Sequence, residues 1–140
     1  MNISARTQYA CLAVLELARQ FSGGQPVPLR QISDQHQIPT PFLVQILLQL
    51  KSAGIVESVR GAAGGYRLVR HPRAITVGEV LSVTEASSSA GVGADGTRAA
   101  QVLQAVWREA DRVQKDYLSR TTIAALLEQL EQHAEAMYYI

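Results

Sequence analysis

Apolar residues in the first part of the chain recur every three or four positions, which is the spacing of amphipathic helices. This spacing predicts a helix over residues 3–21 and a short second helix over residues 29–37. After the break Ile38-Pro-Thr-Pro41, a third helix is expected, with Thr40 as its N-cap and Pro41 as its first residue. Two short helices joined by a tight turn are typical of a helix-turn-helix unit.

The pattern then changes from helical spacing to short runs that are rich in β-branched and aromatic residues. Residues 55–59 and 66–69 are predicted strands, and the glycine-rich sequence between them predicts the turn of a hairpin. Arg60 lies on one arm of this hairpin and Arg67 on the other. A helix-turn-helix unit followed by a basic, glycine-tipped hairpin is typical of a winged helix-turn-helix DNA-binding domain.

The second half of the chain is predicted to be helical apart from one loop. A capping box at Thr76 begins a helix over residues 77–86, and the small, glycine-rich residues 87–97 predict a flexible loop. A long helix follows over residues 98–119, and a last helix starts at residues 121–122. Apolar residues of the long helix alternate at spacings of four and three, as in helices that pair lengthwise. This seam contains Ala99, Leu103, Val106, Ala110, Val113 and Tyr117.

These elements predict a mainly α fold with a small β-hairpin, in which a long C-terminal helix follows a winged helix-turn-helix domain. We expect the winged helix-turn-helix domain over residues 1–86 and the flexible loop over residues 87–97. A helical dimerisation region is expected over residues 98–140.

The charge distribution separates the two halves of the chain. Residues 1–73 carry eight basic and three acidic side chains, a net charge of +5, whereas residues 74–140 carry five and nine, a net charge of −4. A basic first half suits contact with a polyanion. We found no apolar run long enough to cross a bilayer and no signal peptide, so we expect a soluble, cytoplasmic protein.

The third helix supplies the candidate groups for reading bases. If its leucine and isoleucine face is buried, its outward positions include Thr40, Pro41, Val44, Gln45, Leu48 and Gln49. A glutamine can pair with adenine N6 and N7, and valine can contact a thymine methyl group. Lys51, near the helix end, suits a phosphate.

The hairpin supplies the candidate groups for gripping the backbone of DNA. Glycine at positions Gly61, Gly64 and Gly65 allows the chain to turn and to approach another backbone closely, here a phosphate strand. Arg60 and Arg67 flank the tip, where they are expected to reach phosphates or a minor groove.

Six motifs resemble one known family: Ile3–Ala10, Pro26–Ile32, Pro41–Gln45, Val59–Leu68, Ile75–Val80 and Val106–Glu109. The family is the Rrf-two (Rrf2) family of bacterial winged-helix regulators of the IscR, NsrR and CymR kind. The resemblance implies a homodimer paired through the long helix, bound to an operator with dyad symmetry, and we expect a repressor. It also implies DNA contacts near Arg6 and Tyr9, along the recognition helix and in the wing, which includes Tyr66.

The sequence departs from the family in its cysteines. Iron–sulfur members carry three cysteines in the loop before the long helix, but residues 87–97 contain none, and Cys11 is the single cysteine. Because thiolates hold such clusters, we expect no cluster, no other cofactor and no metal. Cys11 is interpreted as a small core residue of the first helix, and Trp107 as an anchor of the core.

Two alternatives of other classes remain open beside a DNA-binding regulator. No pairing of a nucleophile with a base stands out, so no catalytic residue is assigned and an enzyme is not expected. The helix-turn-helix scaffold could serve as a protein-binding module, and the resemblance to CymR-like members adds a regulatory protein partner. The third interpretation is a sensor with a small ligand or an unconventional metal at residues 87–97.

Overall fold

The computed structural model describes residues 1–85 and 96–138, so the predicted loop over residues 87–97 lies almost entirely outside the described residues. Within the described part, six α-helices, one 3-10 turn and one two-stranded antiparallel sheet are formed. The helices are α1 (Ala5–Arg19), α2 (Leu29–His36), α3 (Thr40–Ser52), α4 (Val77–Thr84), α5 (Arg98–Arg120) and α6 (Ile123–Tyr138). The strands are β1 (Val56–Val59) and β2 (Gly65–Leu68). The predicted fold class is confirmed.

The core forms where α1, α3 and the hairpin meet. The apolar face predicted for α3 is completely buried and comprises Leu43, Ile46, Leu47 and Leu50. It packs with Val14 and Leu17 of α1 and with Ile75 and Ile123 from the second half of the chain. Each such side chain contributes about 1.5–3 kcal/mol when it is removed from water. This burial holds α3 rigidly, with its opposite face turned outward.

The turn between α2 and α3 differs in detail from the prediction. Pro39, rather than Thr40, is the N-cap of α3, and Thr40 is its first residue. Gln37 ends α2 in a left-handed conformation with φ of 53°, and the Ser33 hydroxyl donates to the Ile38 carbonyl at 2.6 Å. The fixed φ of Pro39 and this hydrogen bond shape the turn locally, and α3 has no side-chain cap.

The hairpin is anchored at its base to the segment between α1 and α2. The β1–β2 register pairs Glu57 with Arg67 and Val59 with Gly65. On the other side of β2, Tyr66 exchanges two backbone hydrogen bonds with Val27, at 2.8 and 2.9 Å. The wing is therefore held by the domain on both sides of β2.

The long helix α5 leaves the domain and α6 returns to it. The Val77 amide donates to the Thr121 carbonyl at 2.9 Å, and the Ile123 amide donates to the Ile75 carbonyl at 2.9 Å. Thr122 caps α6 through its hydroxyl, which accepts from the Ala125 amide at 3.1 Å. None of the helices in the described part of the chain combines the length and apolar character that a membrane crossing requires.

Candidate nucleic-acid interface

The first turn of α1 lies against the outward face of α3 and brings five side chains together. We call Arg6, Tyr9, Phe42, Gln45 and Gln49 the reading cluster. The Arg6 guanidinium donates to the Gln49 carbonyl oxygen at 2.9 Å and to that of Gln45 at 3.4 Å. The same guanidinium lies 5.4 Å from the centre of the Phe42 ring, and Tyr9 meets that ring edge-to-face at 5.7 Å.

Four of these five residues are predicted from the sequence, and Phe42 is not. Arg6 and Tyr9 come from the family resemblance, and the two glutamines come from the helical spacing of α3. Phe42 lies beside the buried leucine and isoleucine face of α3 and is half-buried. The sequence feature that indicates Phe42 is an aromatic residue just off a buried face of α3, in a chain that also has Arg6 and Tyr9 in α1.

A second network fixes the start of α1. Ser4 is its N-cap, and the Glu85 carboxylate accepts from the Ser4 hydroxyl at 2.8 Å, the Thr7 hydroxyl at 2.7 Å and the Ser4 amide at 3.1 Å. These hydrogen bonds, chiefly the one from Thr7, hold the pKa of Glu85 below its ordinary value. A carboxylate at a helix N-terminus also complements the helix dipole. The end of α4 thereby positions the turn that carries Arg6.

The remaining predicted residues of α3 lie at the surface as expected. Thr40 and Pro41 are exposed at the start of the helix, and Val44 is half-exposed beside Gln45. The Lys51 ammonium donates to the Ser58 hydroxyl of β1 at 2.9 Å, so this side chain joins α3 to the hairpin. The outward face of α3 therefore presents polar and small apolar groups in one continuous strip.

The two wing arginines are not equivalent. Arg67 forms an ion pair with Glu57 across the hairpin, with nitrogen and oxygen 2.5 Å apart. Arg60 is exposed at the start of the turn and has no hydrogen-bonding or ionic partner among residues 1–85 and 96–138. Of the two wing arginines, Arg60 is the one whose charge is not neutralised by a neighbour in the described part of the chain.

The wing glycines also divide into two kinds. Gly61 has a φ of 110° and open space around it, as a turn exposed to a ligand requires. A Cβ on Gly64 would lie 2.2 Å from the Val59 carbonyl oxygen, and one on Gly65 would lie 2.2 Å from that of Val27. In this structure, Gly64 and Gly65 approach the protein's own backbone closely. Tyr66 is half-buried and packs against the core.

The α5 helix presents an uncovered apolar face. No residue of α5 is buried, and the predicted seam includes Leu103, Val106 and Val113, each about half exposed. Tyr117 is exposed, as are the seam alanines Ala99 and Ala110. Trp107 is 59% exposed, so the prediction that it anchors the core is wrong. A helical pattern shows which residues are apolar, but not whether this chain itself covers them.

The described residues give no support for a metal or cluster site. No group of three or more histidine, cysteine or acidic side chains is close enough to hold a metal in the part of the chain described. Burial raises the pKa of the Cys11 thiol to about 11, and the side chain packs against the apolar core. Cys11 is thus a protonated thiol at neutral pH, as expected for a core residue. The sensor alternative at residues 87–97 concerns a segment almost wholly outside the described residues.

We expect Cys11 in the native protein to react slowly with iodoacetamide. Because only the thiolate reacts, raising the pKa from about 9 to about 11 lowers the reactive fraction at pH 8 about a hundredfold relative to the urea-unfolded chain. The rate should rise tenfold per pH unit until the pH approaches 11. Mass spectrometry of timed samples measures both rates; equal rates in native and unfolded protein would contradict the assignment.

Comparison with known proteins identifies the family. A family model described as an iron-dependent transcriptional regulator, Rrf2, matches residues 3–129. The chain belongs to the Rrf2 family. Its relatives include the HTH-type transcriptional regulator IscR of Cereibacter sphaeroides, which is 36% identical over 115 residues, covering 76% of this chain and 74% of that protein.

Solved Rrf2-family structures have the same fold. The structure of T. potens IscR superposes with a TM-score of 0.81 at 34% identity, covering 95% of this chain and 90% of that one. CymR, the global cysteine regulator of B. subtilis, gives a TM-score of 0.81 at 32% identity, covering 92% of this chain and 98% of that one. The chain is therefore a DNA-binding transcription regulator and not an enzyme, as the sequence predicts.

The family description mentions iron, but the residues of this chain do not fit an iron–sulfur cluster held by cysteines. Its single cysteine, Cys11, is part of the α1 core, and the sequence from 86 to 95 contains no cysteine. A cluster held by several cysteine thiolates cannot be assembled from one such residue.

Proposed function

We propose that this Rrf2-family regulator acts as a homodimer on an operator with dyad symmetry and does so without an iron–sulfur cluster. The observation that carries the proposal is the reading cluster: Arg6 hydrogen-bonds to Gln45 and Gln49 on the outer face of α3, and Phe42, which packs with Tyr9, contacts Arg6. Arg60 of the wing, which has no ionic partner among residues 1–85 and 96–138, and the net positive first half of the chain support the same function.

In this proposal α3 enters a major groove and the wing follows the neighbouring backbone. The two glutamines, with Thr40, Pro41 and Val44, meet base edges, because they share the outward strip of α3. Lys51 and Arg60 meet phosphates, and Arg60 is also placed to enter a minor groove. Arg67, Gly64, Gly65 and Tyr66 act indirectly, by holding the wing in shape.

The homodimer is supported by the α5 face. This helix has 23 residues and is therefore about 35 Å long, with an apolar seam along its whole length. Pairing two such faces removes from water the seam residues Ala99, Leu103, Val106, Ala110, Val113 and Tyr117. A two-fold dimer presents two α3 helices related by symmetry, which suits half-sites about one turn of DNA apart.

We also propose that the protein is cytoplasmic and acts as a repressor. The chain acts on chromosomal DNA, and a dimer that occupies two successive major grooves of a promoter excludes polymerase from it.

The wing provides the test of this docking. We expect Arg60→Ala to weaken binding about tenfold on specific and unrelated DNA alike, and to lower the slope of log affinity against log salt by about one per wing. Arg67→Ala is the matched variant, since it removes the same side chain from the opposite arm. Because Arg67 is already paired with Glu57, its loss should change the salt slope much less.

Fluorescence anisotropy over a series of salt concentrations measures both variants. Equal salt slopes for the parent and the Arg60→Ala variant would contradict contact between the wing and phosphates. Absence of any salt-dependent association by the parent would instead favour the protein-binding alternative.

A further inference from the structure

We propose that Arg6 determines the base preference of α3, by turning Gln45 and Gln49 into hydrogen-bond donors that select guanine. This inference rests on the proposed DNA binding and adds the class of base that is read. It replaces the expectation from the sequence that these glutamines pair with adenine.

The contact with Arg6 determines the orientation of the two glutamine amides. A guanidinium has only donors, so the amide atom that faces it must be the carbonyl oxygen. The oxygen of Gln49 accepts from Arg6 at 2.9 Å, and that of Gln45 accepts at 3.4 Å. Each amide nitrogen therefore points away from Arg6. The bond to Gln49 is the shorter of the two and fixes its amide more firmly.

The bases differ in the hydrogen-bond donors and acceptors that their edges present in the major groove. Adenine recognition needs the glutamine oxygen to accept from N6 while the amide nitrogen donates to N7. With the oxygens facing Arg6, the glutamines offer their nitrogens. In the major groove, guanine presents two adjacent acceptors, O6 and N7, whereas thymine presents the single acceptor O4, and adenine and cytosine present an amino donor. The positive charge of Arg6 favours the acceptors and repels the amino groups.

Arg6 is held in place before DNA binds. Its guanidinium lies 5.4 Å from the centre of the Phe42 ring, within the range of a cation–π contact. The helical turn that carries Arg6 is fixed by Ser4 and Thr7, which both donate to the Glu85 carboxylate. An interaction that exists in the free protein needs no reordering on binding, so the donor pattern is part of the surface that DNA meets.

The distance between the two glutamines along α3 determines how many neighbouring bases they can contact. Gln45 and Gln49 are one helical turn apart, about 5–6 Å along α3, which spans one or two steps of a DNA duplex. The inference therefore predicts one or two guanines close together in each half-site. Val44 and Pro41, on the same strip, leave the neighbouring positions to apolar contact.

The experiment compares the parent with Arg6→Ala on duplexes that differ at single bases. A bound operator is first selected from random DNA, and each guanine of its half-sites is replaced in turn by adenine or by 7-deazaguanine, which lacks the N7 acceptor. For the parent, we expect at least one guanine whose replacement by either base weakens binding about tenfold. For Arg6→Ala, the same replacement by adenine should change affinity less than twofold or improve it, because the freed amides can rotate to pair with adenine.

Arg60→Ala is the matched control, because it also removes one arginine from the proposed interface. It should weaken binding to every duplex by a similar factor and keep the tenfold ratio between guanine and adenine. Circular dichroism melting of the Arg6→Ala variant confirms that it is folded, and affinity ratios remove any uniform loss of affinity.

Two results would overturn the inference while DNA binding itself stands. One is a parent that prefers adenine or tolerates every guanine replacement; the other is an Arg6→Ala variant with the same guanine preference as the parent. A parent that selects no DNA from the random pool would instead contradict the proposed function, so the two failures are distinguishable.

Discussion

Val106→Asp is expected to make the protein monomeric and to lower its affinity for a dyad operator at least a hundredfold. Val106 lies in the middle of the exposed seam of α5, where a carboxylate would be buried without a partner in a paired helix. A dimer that contacts both half-sites binds at least about a hundredfold more tightly than one protomer on one half-site, and the monomer loses this gain. Sedimentation velocity gives the mass, and anisotropy gives the affinity.

Gln101→Asp is the matched control for this prediction. It introduces the same carboxylate on the same helix, but on the face opposite the seam, where Gln101 is exposed. We expect it to leave the mass of a dimer and to change operator affinity only slightly. A Val106→Asp protein that remains dimeric would place the dimer contact elsewhere in the chain.

Gly65→Ala is the second variant with a large expected effect. A Cβ there would lie 2.2 Å from the Val27 carbonyl oxygen and 2.5 Å from the Val27 carbonyl carbon, and Gly65 has a φ of 156°. Because the obstacle is backbone, either the hairpin or the α1–α2 connection must move. We expect roughly 2–4 kcal/mol less stability and a wing displaced from its docking position. Urea unfolding measures the stability, and anisotropy measures the loss of DNA binding.

Gly61→Ala separates steric overlap from backbone strain. Gly61 also has a positive φ, 110°, but nothing lies within 4 Å of its Cβ position. It should therefore lose only about 1 kcal/mol, the cost of the backbone conformation. Equal stability losses for the two variants would show that the contact between Gly65 and Val27 is not what makes glycine necessary.

Much of the fold follows from short-range patterns. The spacing of Leu43, Ile46, Leu47 and Leu50 predicts the buried face of α3, and all four are buried. The Thr76 cap is equally local, and its hydroxyl accepts from the Glu79 amide at 3.1 Å. These features depend on helical periodicity and on residues within one turn, which the sequence displays directly.

The site is less predictable because its contacts join distant segments. Arg60 and Arg67 look alike in sequence, and only the hairpin register places Glu57 opposite Arg67. The orientation of the glutamines depends on how α1 crosses α3, which periodicity does not specify. Trp107 illustrates the same difficulty, since its exposure depends on how α5 leaves the domain.

The most direct test of the central claim is the selection of bound DNA from a random pool by the parent protein, followed by measurement of its affinity over a range of salt concentrations. We expect enrichment of one motif with dyad symmetry, whose half-sites are about one turn apart and whose binding weakens steeply with salt. Failure to enrich any motif, together with the absence of salt-dependent association, would contradict it.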